Sequence, residues 1–143
     1  MNPFRSESFV WCDAGICRYP EWIPHITAFP RAEIIPQGNI LALQINPFQE
    51  EDRPGFLVGD GIRIGGGILA SDRAGWSAWS KAYDNMLLRL YNAGNFVGKD
   101  QTIMASICLE SPNQVVLVPS YKALCPIEQW FSLLFYLAGV RVE

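Results

Sequence analysis

Apolar residues recur at spacings of three and four through Trp76, Trp79, Tyr83, Leu87 and Leu90, which predicts one buried stripe on a helix over about 74–92. Gly94 marks its C-terminal end. A second helix is predicted from near Asp100, a residue placed to cap it, with Ile103, Met104, Ile107 and Cys108 as its buried face and an end before Pro112. Upstream, Ser8-Phe9-Val10-Trp11-Cys12 is a short aromatic and β-branched run that stops at Asp13-Ala14-Gly15, the pattern of a buried strand ending in a turn. Asp13 is therefore expected at a strand's C-terminal end. Residues 39–45 and 55–58 read as strands, Gly59-Asp60-Gly61 as a tight turn, and 62–69 as an antiparallel return. Residues 114–119 form a continuous Val and Leu strand, and a last helix opening at Pro126, with Glu128 in its first turn, runs through the apolar segment 130–137 against a sheet. Between the first two strands, Pro20, Pro24 and Pro30 allow only an irregular, partly helical connection. The whole reads as an α/β chain with a β-sheet of mixed direction flanked by helices, and ligands in such sheets bind at the strands' C-terminal ends.

Composition narrows the class. With 143 residues, 50% of them hydrophobic and 13% aromatic, the chain suits a single domain over 1–143 with a real core, and disorder is excluded. The net charge of −3 and singly scattered Lys and Arg supply no basic stripe, so nucleic acid is not an expected partner. The apolar run 130–140 falls short of the roughly 20 residues of a membrane span, and residues 1–8 carry no signal core, so the expectation is a soluble, cytoplasmic chain. Cys12, Cys17, Cys108 and Cys125 include no CxxC pair and are expected to be reduced, buried thiols rather than zinc ligands.

Candidate chemistry concentrates at a few positions. Asp13 offers a hard oxygen donor where a strand opens, and Gly15 leaves room for a phosphate or sugar; the alternative is a turn aspartate bonding its own backbone. In Gly98-Lys99-Asp100-Gln101, Asp100 either caps a helix or, with Gln101, holds sugar hydroxyls. Gly65-Gly66-Gly67 breaks a strand's side-chain register and implies a close approach to the backbone. His25, beside Pro24 and Ile26, reads as a structural, partly buried histidine. The Trp76 and Trp79 stripe reads as core, with stacking on a sugar ring as its functional alternative. Neither a GxSxG elbow nor a phosphate loop ending in Lys-Ser/Thr is present.

The order of these pieces resembles the HtrL/YibB-type family of glycosyltransferase-like proteins and, more distantly, nucleotide-sugar transferases of the GT-A fold. The resemblance rests on Phe9-Val10-Trp11-Cys12-Asp13-Ala14-Gly15-Ile16-Cys17-Arg18 and Ile64-Gly65-Gly66-Gly67-Ile68. It continues through the helix with Trp79, Gly98-Lys99-Asp100-Gln101, Trp130-Phe131 and Phe135-Tyr136-Leu137. It implies transfer of a sugar from a nucleotide diphosphate sugar to a glycan or other hydroxyl acceptor, assisted by Mn2+ or Mg2+. On that reading Asp13 faces the metal, Gly15 and Arg18 flank the diphosphate, and Gly65, Gly66, Gly67 and Lys99 line the donor sugar and acceptor. Asp100 and Gln101 then stand at the reacting centre. The usual Asp-x-Asp has Gly15 at its third position, and only twelve residues precede Asp13. The implied fold is the C-terminal portion of a GT-A domain lacking its N-terminal nucleotide-binding half, completed by a partner chain or self-associating through the edge of strand 9–12. The reading from a different class is a non-catalytic carbohydrate-binding or interaction module on the same scaffold.

Overall fold

The computed structural model describes residues 4–55, 61–121 and 128–140. Four strands, β1 (Ser8–Cys12), β2 (Ile40–Gln44), β3 (Ile64–Asp72) and β4 (Val115–Pro119), form one sheet in the order β1-β3-β2-β4. Three helices, α1 (Arg73–Asn92), α2 (Asp100–Glu110) and α3 (Ser132–Leu137), flank it. β3 runs antiparallel to both β1 and β2, whereas β2 and β4 are parallel. β1, β2 and β4 therefore end at the same edge of the sheet, where β3 begins. This is the mixed α/β sheet expected from the sequence.

Each face of the sheet carries its own core. α1 and α2 cover one face, burying Trp79, Met86, Leu90, Ile103, Met104, Ile107 and Cys108 on Ile40, Ala42, Ile64 and Leu69. On the other face Leu133, Leu134, Phe135 and Leu137 of α3 pack against Leu41, Leu43, Ile68 and Ala70, joined by Trp22 and Ile16. Because alternate residues of a strand point to opposite faces, β2 with helices on both sides has to be apolar throughout, and its first four residues are all buried. α2 is likewise buried almost all round, with Ala105 and Ser106 enclosed beside the four positions anticipated.

Sharp local chemistry fixes the boundaries. β3 passes straight into α1 at Asp72, whose Oδ1 accepts the Gly75 N–H at 2.8 Å and the Gly38 N–H at 3.0 Å, so one carboxylate caps the helix and ties it to the start of β2. These two backbone donors hold the Asp72 carboxyl below its usual value. α1 closes on Gly94 at φ +73, with the Asn95 N–H bonded to the Leu90 carbonyl and the Gly94 N–H to that of Tyr91. Ahead of β3, Asp52 and Arg63 form a bidentate pair of 2.7 and 3.2 Å with side chains 2% and 12% exposed, which ties the turn at Asp52 to the start of β3.

Several expectations shift. β3 begins at Ile64 and extends to Asp72, beyond the anticipated 62–69, and pairs with β1 and β2. Residues 56–58 of the expected strand, Gly59 and Asp60 of its turn, Cys125 and Pro126 lie outside the described residues. The last helix starts at Ser132, after a 3-10 turn over Glu128–Trp130. His25 is exposed at the end of a 3-10 turn (Pro20–His25), because Trp22 is the residue of that turn that enters the core. Cys108 is buried as expected, but Cys12 is half-buried and Cys17 exposed. In the α1 stripe Leu87 faces solvent, and Met86 takes the buried place. No helix among the described residues is long and apolar enough to cross a membrane.

Candidate functional site

The glycine run in β3 creates the irregularity around which the candidate residues gather. Ala42 pairs with Leu69 while the next residue, Leu43, pairs with Gly65, so three residues of β3, Gly66, Gly67 and Ile68, have no counterpart in β2. Side chains would crowd this bulge. A Cβ on Gly65 would sit 3.1 Å from Leu43 Cδ2, and one on Gly66 would sit 3.2 Å from Asp100 Oδ2 and 3.3 Å from the Met104 methyl. The close approach implied by the glycines is thus made by the chain's own side chains, with the Asp100 carboxylate among them.

Asp13 reaches the same bulge from the other side. Its backbone N–H donates to the Gly67 carbonyl at 2.8 Å, extending the β1–β3 ladder one residue past Cys12. Beyond it the chain turns: Asp13 Oδ1 accepts the Gly15 N–H at 2.9 Å, and its carbonyl accepts the Ile16 N–H at 3.0 Å. Ile16 then drops into the core beneath Gly67. The carboxylate is therefore held by its own turn, the bonding that Asp favours at such positions. Both residues are exposed, Asp13 tied to Gly67 through its backbone and Asp100 set with its carboxylate against the adjacent Gly66.

The remaining predicted residues divide. Arg18 folds back so that its Nε–H donates to the Gly15 carbonyl at 2.7 Å, while its guanidinium lies 5.7 Å from the centre of the Phe131 ring. The space beside Gly15 is consequently filled by Arg18, with Nη2 3.0 Å from a Cβ placed there, rather than left open for a phosphate. Asp100 is the first residue of α2, not its cap: Lys99 occupies the cap position, and Asp100 Oδ1 accepts the adjacent Gln101 N–H at 2.8 Å. Lys99 is exposed and Gln101 half-buried at the same helix start. An acidic residue in that first turn complements the exposed amides of the helix end.

Tyr83 belongs to this group although its sequence position marks it only as part of an apolar stripe. Burial raises its phenol pKa, and the negative charges of Asp100 and Asp84 raise it further. Burial likewise raises the Cys12 thiol pKa, with Cys17 and Asp13 adding to the effect. Trp79 is core and Trp76 donates its Nε1–H to the Phe9 carbonyl at 3.0 Å, so neither indole stands over the bulge as a stacking platform.

Chemically the edge presents carboxylates, a side-chain amide, an ammonium group and glycine backbone, a set suited to a ligand rich in hydroxyls. As a metal centre it is sparse. The described residues contain no cluster of three or more His, Cys, Asp or Glu able to hold an ion, and at the turn Asp13 Oδ2 is the one carboxylate oxygen without a turn bond. A protein-held Mn2+ or Mg2+ does not fit that donor set; an ion arriving on a diphosphate needs only one or two carboxylates. A cavity of about 650 Å³ lies elsewhere, in a groove lined by α1 and the C-terminal end of α2 that includes Lys81, Arg89 and Glu110. Comparisons with protein-family models, curated proteins and solved structures find no match to this chain.

Proposed function

We propose that the chain is a glycosyltransferase-like protein that works on a nucleotide diphosphate sugar and an acceptor hydroxyl at the edge where β1, β2 and β4 end. The observation that carries the reading is that two exposed acidic residues attach to one glycine bulge: Asp13 through its backbone N–H to the Gly67 carbonyl, and Asp100 with its carboxylate against Gly66. Gly66 and Gly67 are only half-buried, so hydroxyls of a sugar can reach the bulge beside the acids.

In the proposed transfer the bond from the anomeric carbon to the diphosphate breaks, and its electron pair leaves with the phosphate oxygen. The acceptor oxygen bonds to the same carbon, and its proton passes to the Asp100 carboxylate. That carboxylate also opposes the positive character developing on the sugar. Gln101 and Lys99 hold hydroxyls of donor and acceptor, while Arg18 supplies positive charge near the leaving diphosphate. No step is routed through a metal. The fold reading that accompanies this proposal is the acceptor-side portion of a GT-A-like domain.

One observation favours a second reading. Asp13 and Arg18 both make bonds within the turn, to Gly15 N–H and Gly15 carbonyl, as a structural loop would. On that reading the edge is a non-catalytic carbohydrate-binding module. Asp100→Asn separates the two: hydrolysis or transfer of the donor sugar is lost in the first case, while sugar affinity stays within about threefold in the second, since the amide keeps an acceptor oxygen in place. A wild-type chain that neither turns over nor binds any sugar contradicts both.

A further inference from the structure

Among the described residues β1 is an edge strand, and its outer side carries a specific pattern. The Asp13 N–H to Gly67 bond continues the β1–β3 register, in which Ser8 pairs with Asp72 and Cys12 with Ile68. Antiparallel pairs alternate between bonded and non-bonded, so Phe9, Trp11 and Asp13 direct their peptide groups toward β3. The peptide groups of Ser8, Val10 and Cys12 then face the open edge. Beside that edge, Phe9, Trp11, Trp76 and Arg73 line an apolar hollow of about 400 Å³, and Trp11 remains 59% exposed. An unpaired ladder next to an exposed indole is a template for another strand.

We propose that the occupant is β1 of a second copy of this chain, added antiparallel about a two-fold axis through Phe9. Charge selects this register. With the two Phe9 residues opposite each other, Ser8 and Val10 exchange backbone bonds with Val10 and Ser8 of the second copy. Glu7 of each copy then stands across from Trp11 of the other, next to Arg73 in the same hollow. Shifting the axis to Val10 keeps the backbone bonds but sets Glu7 against Asp13 twice, a like-charge pairing that opposite strands avoid. A two-fold interface makes each favourable pair count twice. The sheet then continues through eight strands, with both α1 helices on one face.

Sedimentation equilibrium of the full chain over a hundredfold concentration range tests this. The expected result is a monomer–dimer equilibrium that Glu7→Lys weakens about tenfold, because two attractive pairs become repulsive. The double variant Glu7→Lys with Arg73→Glu is expected to return within about threefold of wild type. Ser8→Pro, which removes an edge N–H without touching the β3 ladder, is expected to leave monomer. A wild type that stays monomeric throughout overturns the proposal. So does a dimer indifferent to Glu7→Lys, or a double variant that fails to recover while its circular dichroism matches wild type.

Discussion

The Asp100 carboxylate lies over Gly66, its Oδ2 3.2 Å from the point where a Cβ on that residue would stand. The pair joins the start of α2 to the bulge in β3 and sets how far the acidic group projects from the sheet edge. Gly66→Ala is expected to push Asp100 and the Met104 methyl aside, since both contacts are with flexible side-chain ends. Stability is expected to fall by only about 1 kcal/mol, while affinity for a donor sugar falls at least about tenfold. Paired urea unfolding and ligand titration check the split; equal losses of fold and binding would place the glycine in packing alone.

Gly75 gives the opposite contrast. A Cβ there would overlap the Ser71 hydroxyl and stand 2.9 Å from the Asn39 carbonyl oxygen, where backbone has no room to yield. Ser71 Oγ–H also donates to that carbonyl at 2.6 Å. Gly75→Ala is expected to cost about 3 kcal/mol, above the typical gain of Ala over Gly in a helix. An unchanged urea midpoint would mean that α1 is not seated against the start of β2 as described.

Asp52 and Arg63 predict an acid limit. The Arg63 guanidinium, aided by the Gln49 N–H, holds the Asp52 carboxyl below its usual value. A depressed folded value means that the pair's contribution is present above the unfolded value near ~3.9 and is lost as pH falls through the folded one. Stability is expected to be flat down to about pH 4 and to decline below it. Asp52→Asn is expected to cost about 3 kcal/mol at pH 7, since it leaves the enclosed Arg63 guanidinium without its charged partner, and to flatten part of the acid decline. Urea midpoints from pH 7 to pH 2 give the comparison.

The cysteines report burial directly. Cys108 is enclosed by α1 and α2, and burial pushes its thiol pKa up to about 12, so its thiolate is scarce at neutral pH. In native protein at pH 8, Cys17 is expected to alkylate first, Cys12 more slowly, and Cys108 only on unfolding. Peptide mapping by mass spectrometry after timed iodoacetamide treatment reads the order. Early modification of Cys108 would contradict the packing of α2.

Much of the architecture was legible because periodicity reports burial. The three-and-four spacing from Trp76 to Leu90 and the aromatic run at Ser8–Cys12 each correspond to an element at nearly the anticipated residues. What failed was information carried by partners distant in the sequence. Gly65, Gly66 and Gly67 signalled a close approach, but only the pairing of Leu43 with Gly65 shows a three-residue bulge, and only the fold brings Asp100 to it. Arg18 filling the space beside Gly15 depends on side-chain direction, which spacing does not encode. Tyr83 was hidden because a tyrosine in an apolar stripe carries no sign of the charges whose field it feels.

The central claim is that the Asp13, Gly66 and Asp100 edge holds a nucleotide diphosphate sugar. Calorimetric titration of the purified chain with uridine, guanosine and cytidine diphosphate sugars, with and without Mn2+, alongside Asp13→Asn and Asp100→Asn, tests it most directly. Saturable binding of one donor is expected, weakened at least about tenfold by either substitution in chains that still unfold cooperatively. Absence of heat with every donor in a folded wild-type chain, or binding that survives both substitutions unchanged, would contradict it.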